Sequence, residues 1–507
     1  MSTNRRQFIK FVIGGSIAAG CPKDFSFVSA ETSPPPQVDS EDNRICHKVR
    51  DGEDFPVPAA SARHDLVIVG GGISGLTAAY LLRQHDLLLL EKEPHWGGNA
   101  YLMDYKGSPY ATGTAFIWSG DSAYPFAKEI GLEPLLVNNW DGTIVNGEFV
   151  PDTWGDGLDK LPYAASVRES FKKFRKEVLA IDLEKREKEL YETPASELMK
   201  NYAPEVKQWW DAYGPSNWGA VSDETPVAKI VEEFGFFAGD KRQDIRYTWP
   251  GGNGAISQRL SEILQTNSSQ RMILSATTVR VVPRANQVDV TYLHNGEPIT
   301  VAAKTVIMAT PKFITWRIVQ GIPDEQRNAM HAIRYVPYPV VNLIFDRPVF
   351  EKGYDTWCPG NTFTDFVVAD WVVRNQPGYR QKYNILTCYT PLKEQDRYHL
   401  LTDQGTQEVA GRVLADFQKL FPGSNVDPIE VHIYRRGHPM YMCTPGLFTK
   451  VQPITRRPMD RVFFANTDSE GPESTTSGAI DAAQRAVKQA IHRLEEKPTP
   501  NQAAIAG

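Results

Sequence analysis

Residues 65–91 read DLVIVGGGISGLTAAYLLRQHDLLLLE, and this stretch predicts a strand, a tight turn, a helix and a second strand. The apolar runs 66–69 and 87–90 are typical of strands that are buried on both faces. Between them, Gly70, Gly72 and Gly75 have the spacing G-x-G-x-x-G, which marks the phosphate-binding turn of dinucleotide-binding units. The stretch therefore predicts an α/β fold whose Rossmann-like domain has a mostly parallel sheet.

Each residue of this turn has an expected role. Gly70 permits the sharp turn, Gly72 admits a pyrophosphate close to the backbone, and Gly75 lets the helix and strand pack closely. The helix begins at Ile73 and Ser74, so its free N–H groups and the positive end of its dipole face the phosphate.

The second strand ends in a carboxylate. Glu91 lies about 20 residues after the glycines, where an acidic side chain accepts hydrogen bonds from ribose hydroxyls. Lys92 follows directly and is included among the predicted cofactor-binding residues. A glycine turn in an unrelated domain is the alternative, but the two flanking strands and the position of Glu91 argue against it.

Length and composition limit the class of protein. With 507 residues, the chain exceeds what a single core usually organises, so two or more domains are expected. A net charge of −6 gives no electrostatic basis for binding nucleic acid. The 10 histidines show no metal-ligand spacing, and we predict no metal site.

The N-terminus resembles a bacterial export signal. Residues 4–10 read NRRQFIK, which is similar to a twin-arginine motif, and the apolar run 11–20 is too short to span a bilayer. Residues 1–30 are therefore predicted to be a signal peptide that directs the protein to the periplasm. Cleavage after Ala30 would release a soluble protein, whereas lipidation of Cys21 would anchor it. Residues 31–62, which include three consecutive prolines, predict an extended leader or linker.

Beyond Glu91, the chain resembles the flavin-dependent amine oxidase superfamily, which includes monoamine and polyamine oxidases, protoporphyrinogen oxidase and carotenoid desaturases. The resemblance begins with residues 95–100, HWGGNA. In the family, a Gly-Gly pair meets the pyrophosphate of FAD, and Gly97 and Gly98 match that pair. The family usually has arginine next, whereas this chain has Asn99.

Two further segments carry the resemblance. Residues 249–254, WPGGNG, resemble the turn at which the family re-enters its FAD domain, and residues 305–311, TVIMATP, match a buried strand. Between them, relatives contact the adenine through the backbone of a residue that corresponds to Val279.

The last segment, residues 461–483, resembles the family's strand, acidic turn and final helix. Asp468 matches the acid that lies near the ribityl and pyrophosphate oxygens. Gly478 and Ala479 match the start of a helix whose N–H groups face the flavin ring. The resemblance implies that FAD is the cofactor.

The resemblance also implies a discontinuous architecture with a second, α+β substrate domain that covers the flavin. The predicted segments are 63–119, 250–315 and 458–495 for the FAD-binding domain, 120–249 and 316–457 for the substrate domain, and 496–507 for a tail.

Two residues are predicted to be catalytic. Asn342 lies where the amine oxidases have a lysine that contacts flavin N5 through water, and Tyr441 corresponds to one of two aromatic rings that face each other across the flavin. The second ring is expected within residues 473–477, ESTTS, which contain no aromatic residue. Covalent attachment of the flavin at His438 stays open, because some relatives use a cysteine near that position.

The implied activity is dehydrogenation of a C–N or C–C bond of a small organic substrate by hydride transfer to flavin N5. One alternative is a desaturase or isomerase that acts on a hydrophobic substrate. Another is a non-redox FAD-containing mutase or maturation partner of a second exported protein. Oxygen, a quinone or an exported redox carrier would accept the electrons, and the oligomeric state stays open.

Overall fold

Residues 65–91 form the predicted strand, turn, helix and strand in a computed structural model that describes residues 35–237, 245–268, 272–380 and 382–496. The twin-arginine motif, Ala30 and Cys21 lie outside the described residues, and so does most of the predicted tail.

The described elements are numbered in chain order. The strands are β1 (Gln37–Ser40), β2 (Ala62–Val69), β3 (Leu87–Leu90), β4 (Leu102–Tyr105), β5 (Ser108–Ala111), β6 (Ile117–Trp118), β7 (Leu135–Val137), β8 (Gly142–Val145), β9 (Glu148–Val150), β10 (Arg246–Thr248), β11 (Met272–Ile273), β12 (Ala276–Pro283), β13 (Val288–His294), β14 (Glu297–Met308), β15 (Tyr335–Val336), β16 (Val340–Phe345), β17 (Asp355–Trp357), β18 (Asp365–Val368), β19 (Asn384–Tyr389), β20 (Glu430–Arg435), β21 (Met440–Tyr441) and β22 (Val462–Phe464). The α-helices are α1 (Arg44–Arg50), α2 (Ile73–Leu81), α3 (Ala123–Glu129), α4 (Ala165–Leu179), α5 (Leu183–Glu192), α6 (Ser196–Met199), α7 (Pro204–Trp218), α8 (Val227–Phe237), α9 (Gly254–Ser268), α10 (Lys312–Ile318), α11 (Asp324–Ala332), α12 (Asp403–Leu420), α13 (Gln452–Thr455) and α14 (Thr476–Glu495).

A seven-stranded sheet carries the glycine turn. Its order is β11-β3-β2-β14-β13-β12, with β22 paired to the carboxyl-terminal part of β14. The pairs β11–β3, β3–β2, β2–β14 and β14–β22 are parallel, whereas β12, β13 and β14 form an antiparallel meander. A two-residue turn, Asn295-Gly296, joins β13 to β14, and both residues have positive φ angles.

Helices cover both faces of this sheet. Side chains of β2 alternate between two cores: Leu66 and Ile68 pack with α2, α9 and α14 on one face, and Val67 and Val69 pack with α10 and α11 on the other. This layering confirms the predicted α/β fold with parallel sheet regions.

A second sheet has eight strands, in the order β1-β20-β16-β19-β18-β17-β8-β9. Helix α12 packs its apolar side against one face of this sheet. Helices α4, α7 and α8 enclose a separate aromatic core that contains Trp209, Trp210 and Phe234.

Part of the predicted linker is ordered, which corrects that prediction. Residues 37–40 form β1, which pairs in parallel with β20, and residues 44–50 form α1. Strand β1 is short and largely exposed, so its own sequence has no hydrophobic pattern, and pairing with β20 determines its conformation.

Cys46, Cys358, Cys388 and Cys443 are free thiols. Within the described ranges, no helix combines the length and apolar character that a membrane crossing requires. The same ranges contain no cluster of three or more His, Cys, Asp or Glu side chains suited to a metal ion.

Candidate active site

A cavity of about 390 Å³, here called the cofactor cavity, opens where β2, β3, β14 and β22 end. All four strands are parallel, and ligands of open α/β sheets bind beyond the carboxyl ends of such strands. Many of the residues predicted from the sequence line it: Gly70, Gly72, Ile73, Ser74, Glu91, Lys92, Gly97, Gly98, Asn99, Tyr441 and Ala479.

The glycines of the turn separate into two kinds. A Cβ atom on Gly75 would lie 1.8 Å from the carbonyl oxygen of Gly70, so the close packing of helix on strand requires glycine there. A Cβ atom on Gly72 would find no atom closer than 3.9 Å, although this residue faces the cavity. The space in front of Gly72 is therefore available to a ligand, and α2 begins there without a side-chain cap. This arrangement fits a bound pyrophosphate.

Glu91 lies at the end of β3 with its carboxylate held in place. Its Oε2 accepts a hydrogen bond from the Gly71 amide at 2.5 Å, and its Oε1 accepts one from the Glu93 amide at 2.9 Å. Burial raises the pKa of Glu91, and the neighbouring Lys92 opposes that rise. The fixed carboxylate faces the cavity, as a ribose-binding acid should.

Arg436 brings a positive charge to the Gly-Gly turn. Its Nη1 donates to the carbonyl oxygen of Asn99 at 3.1 Å, and its Nη2 donates to the carbonyl oxygen of Gly98 at 3.2 Å and to Thr112 Oγ1 at 3.2 Å. The side chain is 2% exposed. Arg436 directly follows β20, so a residue more than 300 positions further along the chain places a positive charge behind the Gly-Gly turn, although it does not line the cofactor cavity.

A second cavity, of about 170 Å³, adjoins the first and is here called the front cavity. Residues after β5 and in β6 form one wall, and strands β16, β17 and β18 contribute to another. The residues that line both cavities are Asn99, Thr114, Pro439, Ser474, Thr475 and Thr476. A ligand of the front cavity thus meets the cofactor at this shared boundary.

The front cavity is lined by five carboxyl groups and by one cationic side chain, that of Arg436. Its acidic lining residues are Asp121, Glu233, Asp355, Asp365 and Glu473. Two of them are neutralised: Asp355 pairs with Arg246 at 3.0 Å, and Glu473 pairs with the buried Lys229 at 2.8 Å.

The other three carboxyl groups, those of Asp121, Glu233 and Asp365, form no ion pair within the part of the chain that the structure describes. Burial and the nearby Glu473 together raise the pKa of Glu233 to about 8, although Lys229 opposes the rise. Burial likewise raises the pKa of Asp365 to about 7. Because these pKa values are raised, Glu233 and Asp365 keep their protons up to about pH 8 and pH 7, and negative charge develops in this cavity as the pH rises above these values.

Aromatic rings line the same cavity. They belong to Phe116, Trp118, Tyr338, Trp357 and Tyr389. Ring faces beside ionised carboxylates attract organic cations, because the negative face of the ring quadrupole and the carboxylate both stabilise a positive charge. The cavity is therefore suited to an organic ammonium group with a carbon skeleton.

Residues 73–491 match the model of the flavin containing amine oxidoreductase family. The chain belongs to this family. It is 23% identical to the oxidoreductase PigB of Serratia sp. (strain ATCC 39006), over 85% of this chain and 76% of PigB. It is also 23% identical to flavin-containing amine oxidase A of Equus caballus, over 86% of this chain and 87% of that protein. Its fold resembles that of cyclohexylamine oxidase from Brevibacterium oxydans IH-35A, with a TM-score of 0.65, 19% identity, and coverage of 85% of this chain and 100% of that one.

As a flavin containing amine oxidoreductase, this protein is an FAD-dependent enzyme. The cofactor cavity fits FAD by its open glycine turn, the uncapped start of α2 and the fixed Glu91 carboxylate. FAD is the hydride acceptor in such enzymes, and the front cavity is the space next to the cofactor cavity.

Neither of the two predicted catalytic residues lines the front cavity. Asn342 lines neither cavity: its Oδ1 accepts a hydrogen bond from Thr387 Oγ1 at 2.8 Å inside the eight-stranded sheet. The β16 residue that faces the front cavity is Val340. Tyr441 lines only the cofactor cavity, and its hydroxyl donates to the carbonyl oxygen of Gly471 at 3.2 Å. No aromatic residue stands at the shared boundary, in line with the sequence, which offers Tyr441 but no second aromatic ring within residues 473–477.

Asp468 is also placed differently from the prediction. It is fully buried and lines neither cavity, and its Oδ1 pairs with Lys312 Nζ at 2.7 Å. Its neighbour Thr467, together with Asn466, lines the cofactor cavity instead. The acid therefore supports the cavity wall from behind.

The start of α14 requires a similar correction. The Gly478 amide donates to Thr475 Oγ1 at 2.9 Å, and the Ala479 amide donates to the Thr475 carbonyl at 3.1 Å, so neither N–H group is free. Among the described residues, the amides of Thr476 and Ser477 have no backbone or side-chain acceptor. These two groups, rather than Gly478, are available at the helix start.

Val279 does not line the cofactor cavity, which extends as far as Thr278. It occupies a bulge, because Thr278 and Arg280 pair with consecutive residues of β13. A backbone contact of Val279 with the adenine stays a prediction.

Sequence patterns did not reveal Arg436 or the acidic residues of the front cavity. They come from segments far apart in sequence and share no spacing. The available signals were a missing arginine at Asn99 and an incomplete aromatic cage, each of which indicated that other residues complete the site.

Proposed function

We propose that this enzyme dehydrogenates the C–N bond of a small primary amine that enters the front cavity as a cation. The observation that carries the proposal is a group of carboxyls that form no ion pair among the described residues, the buried Glu233 and Asp365 and the half-buried Asp121, in the cavity that adjoins the cofactor cavity. A buried negative charge that lacks a partner is costly, and a substrate ammonium group offsets that cost when it binds.

Glu233 is the proposed proton acceptor. An ammonium group has no free electron pair, so it must lose a proton before its carbon can give up a hydride. The pKa of Glu233 is raised by burial to about 8, so above that pH its ionised carboxylate is basic enough to accept that proton. Bound FAD would take up the hydride from the adjacent carbon while the nitrogen electron pair forms the C=N bond, and water would then hydrolyse this imine to a carbonyl compound and an amine or ammonia.

The aromatic wall would hold the carbon skeleton of the amine and exclude water. Tyr338, Trp357 and Tyr389 are all buried and line the front cavity. The unpaired carboxyls beside them disfavour a purely hydrophobic substrate, because such a molecule would leave buried charges without a partner. This argument favours the amine over carbon–carbon desaturation and over a non-redox role.

The test is an anaerobic titration of the purified yellow protein with primary amines, followed by its visible spectrum. We expect an amine to bleach the flavin, and the alcohol and the N-acetyl derivative of the same skeleton to leave it oxidised. Glu233→Gln and Asp365→Asn should each raise KM for the amine about tenfold, which corresponds to about 1.4 kcal/mol. Glu129→Gln, at an exposed site at the end of α3, serves as the matched control. Bleaching by an unsaturated hydrocarbon precursor but by no amine would contradict the proposal.

We propose oxygen as the electron acceptor. Hydrogen peroxide should then form in step with the amine consumed, and turnover only with a quinone would contradict this.

The N-terminal motif supports export to the periplasm by the twin-arginine route. Replacement of Arg5 and Arg6 by lysine should retain the protein in the cytoplasm, and unchanged fractionation would exclude this route.

A further inference from the structure

The residues that precede the family-matched region form part of the wall of the cofactor cavity. The family match begins at residue 73, but residues 37–50 reach the cavity from outside that match. Strand β1 fixes this segment to the other sheet through its pairing with β20, and Gln37 Nε2 donates to Glu430 Oε2 at 3.0 Å. We call residues 37–50 the clamp.

Glu41, at the turn between β1 and α1, joins the clamp to two residues of the cofactor site. Its Oε2 lies 3.8 Å from Lys92 Nζ, and its Oε1 lies 3.8 Å from Arg436 Nε. Burial would raise the pKa of Glu41, but these two cations outweigh that effect and lower it. The amide of Asp42 also donates to Glu93 Oε1 at 3.1 Å.

Helix α1 then lies over the cavity and packs against α10 and β12. Four of the lining residues belong to α1 or directly precede it, namely Asn43, Cys46, His47 and Arg50.

Arg50 and Arg317 give this end of the cavity a positive charge. Both side chains line it, and Arg317 belongs to α10. Arg50 pairs only with the exposed Asp51 at 2.9 Å among described carboxylates, and Arg317 pairs with none of them. Burial lowers the pKa of Arg317, and the charge of Arg50 lowers it further, so the two guanidinium groups repel each other across the cavity. An anion between them would remove that repulsion.

We propose that the clamp closes over bound FAD and that Arg50, together with Arg317, provides positive charge to the phosphate-bearing half of the cofactor. The clamp is then a cofactor-binding element outside the family-matched region. It retains FAD by covering it and by neutralising its charge.

The first test measures FAD release from the purified holoenzyme by the rise of flavin fluorescence after dilution. Arg50→Ala should release FAD at least about tenfold faster, since a charge-assisted contact is worth about 1.5–3 kcal/mol. Arg50→Lys should restore much of the retention. Arg284→Ala is the control, because Arg284 lies outside the clamp, is 56% exposed and does not line the cavity. If Arg50→Ala released FAD at the rate of the wild type, the proposal would be overturned.

A second test needs no substitution. Cys46 lines the cavity from α1, whereas Cys358, Cys388 and Cys443 are buried elsewhere. Alkylation of Cys46, followed by mass spectrometry of its peptide, should slow at least about tenfold when FAD is added to the apoprotein. Equal labelling rates with and without FAD would show that α1 does not cover the cofactor. This result would hold even if the Arg50 variants failed to fold.

Discussion

Lys312 and Asp468 form a fully buried ion pair behind the cofactor cavity. The ammonium Nζ of Lys312 lies 2.7 Å from Oδ1, and the backbone amide of the same lysine donates to Oδ2 at 2.7 Å. The hydroxyl of Tyr335 donates to Oδ2 as well, at 2.6 Å. The carboxylate therefore links the start of α10 to the turn after β22, and both segments contribute walls of the cavity.

Asp468→Asn should lower the free energy of unfolding by about 3–5 kcal/mol, because it leaves the Lys312 charge buried and unpaired. Urea unfolding of the apoprotein measures this loss. The exposed pair of Lys200 and Glu197 is the control, and its removal should cost less than about 1 kcal/mol. A loss below 1 kcal/mol at Asp468 would mean that the pair is hydrated rather than buried.

Alanine at Gly72 and at Gly75 should have different effects. Gly75→Ala forces a Cβ atom against the Gly70 carbonyl and should destabilise the protein by about 3 kcal/mol or more. Gly72→Ala meets no protein atom, so the apoprotein should keep its melting temperature while FAD binds at least about tenfold more weakly. Thermal unfolding without FAD and a titration with FAD separate the two effects. Equal FAD affinity of Gly72→Ala and the wild type would disprove the placement of the pyrophosphate.

The raised pKa values of Glu233, about 8, and Asp365, about 7, predict a pH dependence of substrate use. Each carboxyl is protonated below its pKa and attracts an ammonium group only above it. We therefore expect kcat/KM for a cationic amine to rise from pH 6 to pH 8.5. Glu233→Gln should remove the part of this rise that is centred near pH 8.

The same pKa values predict the direction of a stability change. Unfolded Glu233 ionises near pH 4.5, whereas the folded group keeps its proton up to about pH 8, so folding becomes less favourable as the pH rises between these values. Glu233→Gln should consequently stabilise the apoprotein relative to the wild type at pH 8.5 and have little such effect at pH 4. A stability difference that stayed constant with pH would contradict this assignment.

Arg436→Lys should weaken FAD binding although it preserves the charge. A lysine cannot donate from one planar group to the Gly98 and Asn99 carbonyls and to Thr112 together. We expect FAD release to be about tenfold faster, measured by flavin fluorescence. The exposed Arg63→Lys variant, on β2, should release FAD at the rate of the wild type.

The cofactor half of the site could be predicted because its residues lie close together in sequence. Gly72 and Glu91 are joined by one helix and one strand, so local spacing fixes their positions. The front cavity could not be predicted in this way. Glu233 comes from α8, Asp365 from β18 and Asp121 from the loop before α3, and only tertiary packing brings them together.

The misplacement of Asn342 has a specific reason. Residues that alternate along a strand share a face, so Asn342 lies on the same face of β16 as Val340. The alternation of residues along β16 shows which of them share a face of the sheet. It does not show how far the cavity extends along the strand. The cavity ends at Val340, and Asn342 lies one step further, against Thr387.

The pairing of β1 with β20 has a consequence for the order in which the molecule assembles. Gln37 and Glu430, whose side chains are hydrogen-bonded, are 393 residues apart in sequence. A chain made from its N-terminus releases the glycine turn and β3 long before β20 exists, so the nascent cavity has no cover. We therefore expect FAD to enter an open site during or just after synthesis. Docking of β1 onto β20 is then among the last events of folding. Once β1 has docked, we expect the cofactor to leave only when β1 detaches.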